Sequence, residues 1–183
     1  DLGTIMKPTR NLVVNAALWF LHLDQEFVYV GDGGIVEPSG RTRRYGIDLG
    51  FRNEILPGLF IDMDANYTIA KSIDDEPGNN YIPLAPDFTS TGGITYKSNR
   101  KLNGGISYRY IKNRPATSDN SIIADGYFVS DAVISYTIGK ANLSLIGENI
   151  FNTKWNEAQF ATLTRLKNEV NPVEEIHFTP GNP

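Results

Sequence analysis

From Arg41 to Ile55 the chain alternates between two kinds of residue. Tyr45, Ile47, Leu49 and Phe51 hold odd positions, and Arg44, Gly46, Asp48, Gly50, Arg52 and Glu54 hold even ones. A repeat of two puts each set on its own side of an extended strand, whereas helical spacing would mix them. The next segment repeats the pattern, with Leu59, Ile61, Met63, Ala65, Tyr67 and Ile69 against Asp62, Asp64, Asn66 and Thr68. Weaker versions follow in Phe88–Lys97, Gly105–Lys112 and Tyr127–Ile138, and a further strand is marked by Leu143, Leu145 and Phe151. Asn11 to Val30 alternates less cleanly and predicts one long strand, or one bent at Asp24-Gln25-Glu26. Asp1 to Met6 reads as the tail of a strand that starts earlier, which makes about seven strands and one partial strand.

The connections are unequal in a regular way. Leu56-Pro57-Gly58, Ser98–Asn103 and Gly139-Lys140 are short, while Val30–Arg41, Asp74–Pro86 and Asn113–Gly126 are long. Gly31-Asp32-Gly33-Gly34 reads as a turn within the first of the long ones, and a long polar stretch is predicted after Asn152. The two ends of a soluble sandwich are equivalent and give no reason for such alternation. Outer-membrane barrels do, since short turns face the periplasm and long loops face outward. The predicted strands run roughly 9 to 13 residues, close to the ~9–11 that a tilted strand needs to cross a bilayer. Tyr45, Tyr67, Tyr96, Tyr110, Tyr127 and Phe151 stand near strand ends, where aromatic girdles belong.

Composition changes this picture little. The 183 residues are 40% hydrophobic and 21% charged, with 17 glycines and no cysteine. No disulfide framework or thiolate metal site is available. The longest apolar stretch, Leu12–Leu23, is interrupted by Asn15 and His22 and is too short for a spanning helix, which needs ~20 residues. A net charge of −4 supplies no basic stripe for nucleic acid.

Catalytic chemistry is poorly represented, and no enzyme is predicted. His22 and His177 are the only histidines and lie on distant segments. Asp62, Asp64 and Asn66 open like a calcium loop, but Tyr67 stands where glycine is needed and Ile73 where the distal glutamate belongs. Gly31-Asp32-Gly33-Gly34 lacks the third glycine of the spaced dinucleotide fingerprint, whose place is held by Val36, so no cofactor is expected. If the apolar faces point to lipid, Arg44, Asp48, Arg52, Glu54, Asp62, Asp64 and Arg109 line a barrel interior. There they would pair with one another, pack on a plug or line a water path. Recognition residues would concentrate on the long loops.

An antiparallel barrel cannot close on an odd strand count, and an open edge in hydrocarbon leaves backbone groups unpaired. The chain ends Thr179-Pro180-Gly181-Asn182-Pro183, which is loop chemistry, so a fragment with a closing strand still to come is expected.

Gly147-Glu148-Asn149-Ile150-Phe151-Asn152-Thr153-Lys154-Trp155 resembles the Asn-Leu-Phe-Asn signature near the end of TonB-dependent receptors, with Ile150 and Trp155 in place of the commoner Leu and Tyr. Glu37-Pro38-Ser39-Gly40-Arg41, Arg44-Tyr45-Gly46-Ile47-Asp48-Leu49, Asn66-Tyr67-Thr68 and Tyr81-Ile82-Pro83-Leu84-Ala85-Pro86 are similar to the same family. The resemblance implies all-β antiparallel transmembrane strands, roughly strands 15 to 21 of a 22-stranded barrel. Residues 1–183 would be the C-terminal portion of that barrel, lacking the plug domain and the final strand. Family membership further implies energised uptake through the bacterial outer membrane of a scarce ligand: a ferric siderophore, cobalamin, haem or a glycan. The implied partners are outer-membrane lipid, the plug of the same parent chain and the TonB complex, the last reached through parts outside this sequence. Two other readings stay open at this point: a small complete barrel of about eight strands with a structural or adhesive role, and a soluble β-sandwich binding module.

Overall fold

The computed structural model describes residues 1–30, 35–98 and 101–182. In chain order the strands are β1 (Leu2–Thr9), β2 (Leu12–Leu23), β3 (Phe27–Val30), β4 (Ile35–Pro38), β5 (Thr42–Leu56), β6 (Leu59–Ser72) and β7 (Phe88–Lys97). Then come β8 (Leu102–Ile111), β9 (Arg114–Pro115), β10 (Ile123–Ala124), β11 (Tyr127–Ile138), β12 (Ala141–Gly147), β13 (Asn156–Thr164) and β14 (Val173–Pro180). Eight of them form one antiparallel sheet in the order β1-β2-β5-β6-β7-β8-β11-β12, and three two-stranded sheets, β3/β4, β9/β10 and β13/β14, make up the rest.

Register explains why the alternation matters. Directly opposed residues share a face, so one alternating strand dictates the facing of its neighbour. On one face Ala16, Leu49, Ala65, Ser90, Tyr110 and Phe128 form a continuous cross-strand row, and Leu18, Ile47, Tyr67 and Phe88 form the row beside it. On the other face Val13, Arg52, Asp62, Gly93, Ser107 and Asp131 line up. The wall thus has one apolar side and one side that is polar across β5 to β8, while on β2 that second side still carries Val13, Ala17, Trp19 and Leu21.

Among the described residues no second sheet packs on the apolar side. Leu49 is 47%, Ile106 52% and Leu145 72% exposed. So broad an apolar surface on a single layer argues against the soluble sandwich, because a water-facing patch of this kind is avoided. Buried Ile82, Ala116, Ala124 and Arg114 lie in the long connections, Gln159 lies in β13, and Thr42, Ser72 and Val129 stand at the adjoining strand ends, so the packed core sits beneath the loops at one end of the wall. The sheet is not closed: β1 and β12 are its edges.

The eight strand segments expected are present as β1, β2, β5, β6, β7, β8, β11 and β12, but four expectations need correction. Asn11–Val30 is interrupted at Asp24-Gln25-Glu26, where the second alternative put a bend, but the two parts are separate strands in different sheets. β2 stops at Leu23, and Phe27–Val30 turns away to pair with Ile35–Pro38. The break falls where Glu26 is drawn onto Thr42 and Arg44 of β5. Phe151 belongs to no strand, since β12 ends at Gly147 and Asn149 (φ 46) and Asn152 (φ 50) take left-handed backbone. The stretch after Asn152 contains the β13/β14 hairpin, whose mixed polar and apolar residues disguise it. Finally, Tyr127 is not a girdle residue: it opposes Ile111 on the polar side and lies 4.8 Å from the Trp155 ring. Tyr45, Tyr67, Tyr96 and Tyr110 do stand on the apolar face. Gly31-Asp32-Gly33-Gly34 lies outside the described residues.

Candidate ligand-facing site at the loop end of the wall

The polar face carries the predicted charges and pairs most of them. Arg52 holds Asp64 with two hydrogen bonds, at 2.8 and 3.2 Å, across β5 and β6. Asn66 donates to Asp48 and accepts from Thr68. Arg109 lies 3.5 Å from Asp131, and Arg44 pairs with Glu26. Glu54 serves the turn instead, accepting from the Gly58 amide at 2.9 Å. These pairings supply the mutual compensation expected of a lumen wall.

The loop end is bound together in series. The Glu26 carboxylate accepts from Thr42 Oγ1 at 2.6 Å, and the Ser39 amide donates to the Glu26 carbonyl, closing the base of the 24–41 loop. Arg41 reaches the next loop, with Nε and Nη2 donating to Asp74 Oδ1 at 2.9 and 2.6 Å and its amide donating to Oδ2 at 2.8 Å. Those hydrogen bonds hold the Asp74 carboxyl below its ordinary range and raise the Arg41 guanidinium. Loop 73–87 then docks on loop 112–126, where Ser118 and Pro115 carbonyls accept from the Tyr81 and Leu84 amides. Lys112 Nζ meets Asp87 at 2.7 Å and is raised by that contact. Buried Arg114 is lowered by desolvation. Within the same loop, Asp119 accepts from Thr117 Oγ1 and from the amide and hydroxyl of Ser121, which bring its carboxyl down to about 2.

The last link involves β13. Gln159, only 2% exposed, donates to the Asp125 carbonyl at 2.8 Å and accepts from its amide at 2.9 Å. Beside it the Asn149-Ile150-Phe151-Asn152 turn acts as a clamp. Asn149 Oδ1 accepts from the Thr153 amide, and Nδ2 donates to the carbonyls of Thr153 and Asn182. The Asn149 amide donates to Asp131 on the wall. Trp155 Nε1 donates to the Asn182 carbonyl at 3.0 Å, and the Arg109 guanidinium lies 5.5 Å from the Trp155 ring. Arg109, Asp131, Glu148, Trp155 and Glu157 line a cleft of about 240 Å³ on the polar side of the mouth. A guanidinium over an aromatic ring, flanked by carboxylates, can grip a polar ligand with both charge and π-surface.

Arg109 was legible in the sequence as an inward charge. Trp155 was legible only as part of the signature, and Gln159 and Glu157 carried no readable signal, because they lie on a hairpin read as a polar stretch. Among the described residues no group of three or more His, Asp and Glu side chains is gathered for a metal ion.

The likeness to known proteins follows this architecture. The family described as "TonB dependent receptor-like, beta-barrel" matches residues 1–152. A ferrioxamine receptor from Yersinia enterocolitica is 25% identical over 173 residues, covering 88% of this chain and 24% of its own length. The closed form of Fiu, a ferric-catecholate import receptor of Escherichia coli K12, superposes with a TM-score of 0.70 at 21% identity, covering 99% of this chain and 25% of that one. The unliganded ferric citrate transporter FecA gives 0.69 at 17% identity, with 97% and 29% covered. The copper transporter OprC gives 0.70 at 16% identity, with 98% and 29% covered. The chain spans about a quarter of the length of the relatives it matches. With most of its length under the family pattern and its eight-stranded wall superposing on receptor barrels, the chain belongs to the TonB-dependent receptor β-barrel family.

Proposed function

We propose that this chain is a section of the wall and mouth of an energised outer-membrane transporter that takes up a scarce metal complex, a ferric siderophore or a close chemical relative. The observation that carries the reading is the single-layer sheet, apolar on one side and polar on the other, with short turns at one end and interlocked loops at the other. The relatives named for ferrioxamine, ferric catecholate, ferric citrate and copper all handle metal ions or their complexes. Arg109 and Trp155 would face such a ligand from the mouth, and Arg52, Asp64, Asp48 and Asp62 would face a plug. The edges β1 and β12 would pair with further strands of the parent chain, since unpaired edges in hydrocarbon are costly. Residues 1–183 would then be the C-terminal portion of the barrel without its plug and closing strand. A carrier of this kind is a transporter and not an enzyme.

The test is uptake of radioiron-labelled ferrioxamine, ferric catecholate and ferric citrate, and of copper, by cells whose only such receptor is the full parent protein. Accumulation of one of these that stops when a protonophore collapses the inner-membrane potential supports energised uptake. Equal accumulation with and without the receptor for every ligand would overturn it.

A further inference from the structure

The apolar face of the wall is almost free of charge, and what charge it has is one-sided. Outward positions of the eight strands follow from the registers, and among the described residues they include no aspartate or glutamate. The only fully charged groups there are Arg43 and Lys71, directly opposed across β5 and β6, with His22 opposite Arg43 on β2. All three stand at the loop end. The rung below them is Phe20, Tyr45 and Ile69, an aromatic–aliphatic row of the kind that sits at headgroup depth. At the short-turn end the matching positions are Leu12, Leu59, Tyr96, Leu102 and Tyr136, with no charge at all.

Neither charge is neutralised. Arg43 is exposed and meets no carboxylate among the described residues. Lys71 Nζ donates to Asn80 Oδ1 at 3.0 Å and lies 3.1 Å from the centre of the Tyr81 ring, and both partners are uncharged. The other cations nearby are already spent: Arg41 on Asp74 and Lys112 on Asp87. Adjacent strands stand ~4.8 Å apart, a spacing that lets one phosphate contact both side chains.

We propose that Arg43 and Lys71 are a docking point for the phosphate of a lipid headgroup in the leaflet around the long loops. The inference rests on reading the apolar face as lipid-facing. A basic rung directly above an aromatic row, with exposed Asp24 beside His22 as the one carboxylate that reaches this end of the face among the described residues, matches an anionic headgroup in both charge and depth. It would anchor the rim laterally, on the opposite side of the wall from the Arg109–Trp155 cleft.

The experiment uses the full receptor purified in detergent, with bisphosphorylated lipid A or its enzymatically dephosphorylated form added, and reads bound lipid by native mass spectrometry. One basic charge at a lipid surface is worth roughly a fivefold change in occupancy. The wild-type receptor should therefore retain the phosphorylated lipid at least about fivefold better than the dephosphorylated one. R43Q/K71Q should abolish that preference, R43Q alone should reduce it, and R43K/K71R should keep it. Heat-modifiable migration on gels confirms that each variant is a folded barrel. A folded wild-type barrel that binds both lipids equally, or an R43Q/K71Q barrel that keeps the preference, would overturn the docking point and leave the wall reading intact. A receptor that is soluble without detergent and not heat-modifiable would overturn the wall reading itself.

Discussion

Replacing Asn149 with alanine removes three hydrogen bonds at once, those of its side chain with the Thr153 amide, the Thr153 carbonyl and the Asn182 carbonyl. The site is 5% exposed, so water cannot readily replace them. Each is worth about 1 kcal/mol net. The backbone at φ 46 is left-handed, a region asparagine tolerates and alanine does not, which adds roughly 1 kcal/mol. The total of about 4 kcal/mol corresponds to an increase of roughly 10³-fold in local opening. Hydrogen exchange of the full receptor, read by mass spectrometry on peptides covering 150–156, reports it through the Thr153 amide. N149A should exchange fastest, and N149G should fall between it and wild type because glycine accepts the backbone angle but makes no side-chain bond. Exchange in N149A within threefold of wild type would refute the clamp as the reason for the signature.

Leu49→Arg places a charge on the lipid side and should cost about 2–4 kcal/mol in barrel unfolding by denaturant, whereas Ser107→Arg, on the polar side opposite Asp131, should cost under ~1 kcal/mol. Gln159→Leu leaves the Asp125 amide unpartnered and its carbonyl with Arg114 Nη1 alone, at 3.3 Å, and should raise exchange at 123–126 by an amount equivalent to about 1 kcal/mol. Asp119 has a folded-state pKa held down by Thr117 and Ser121, so its contribution to loop stability is complete above the ordinary value of 3.8 and is lost as pH falls toward about 2. Proteolysis of loop 112–126 in the full receptor should therefore rise between those two values, and Asp119→Asn should make it independent of pH across that window.

Much of the wall was legible because its cause is local. Each strand that faces two media must alternate, and Thr42–Leu56 and Leu59–Ser72 do so clearly enough to reveal their facing without any partner. The unequal connections then gave the two ends different identities. The loops were less legible because their order is long-range. A bend at Asp24-Gln25-Glu26 was legible, but nothing there names Thr42 and Arg44 as the partners of Glu26, and nothing in Gln159 points to Asp125, 34 residues away. Tyr127 misled because aromatics favour strands on either face, and only pairing with Ile111 shows which one it occupies. The Asn149 signature was recognisable as a pattern, but its purpose appears only when its amide is seen joining Thr153 to Asn182.

The central claim is that this sheet spans a membrane with its apolar face to lipid. Nitroxide side chains placed one at a time from Arg44 to Phe51 in the full receptor, reconstituted in a bilayer, test it through collision with oxygen and with a water-soluble nickel chelate. Oxygen accessibility should peak at positions 45, 47, 49 and 51 and the nickel reagent should favour 44, 46, 48 and 50, as the β5 register requires. A profile with no period of two, or with nickel access at Ile47 and Leu49, would contradict the account.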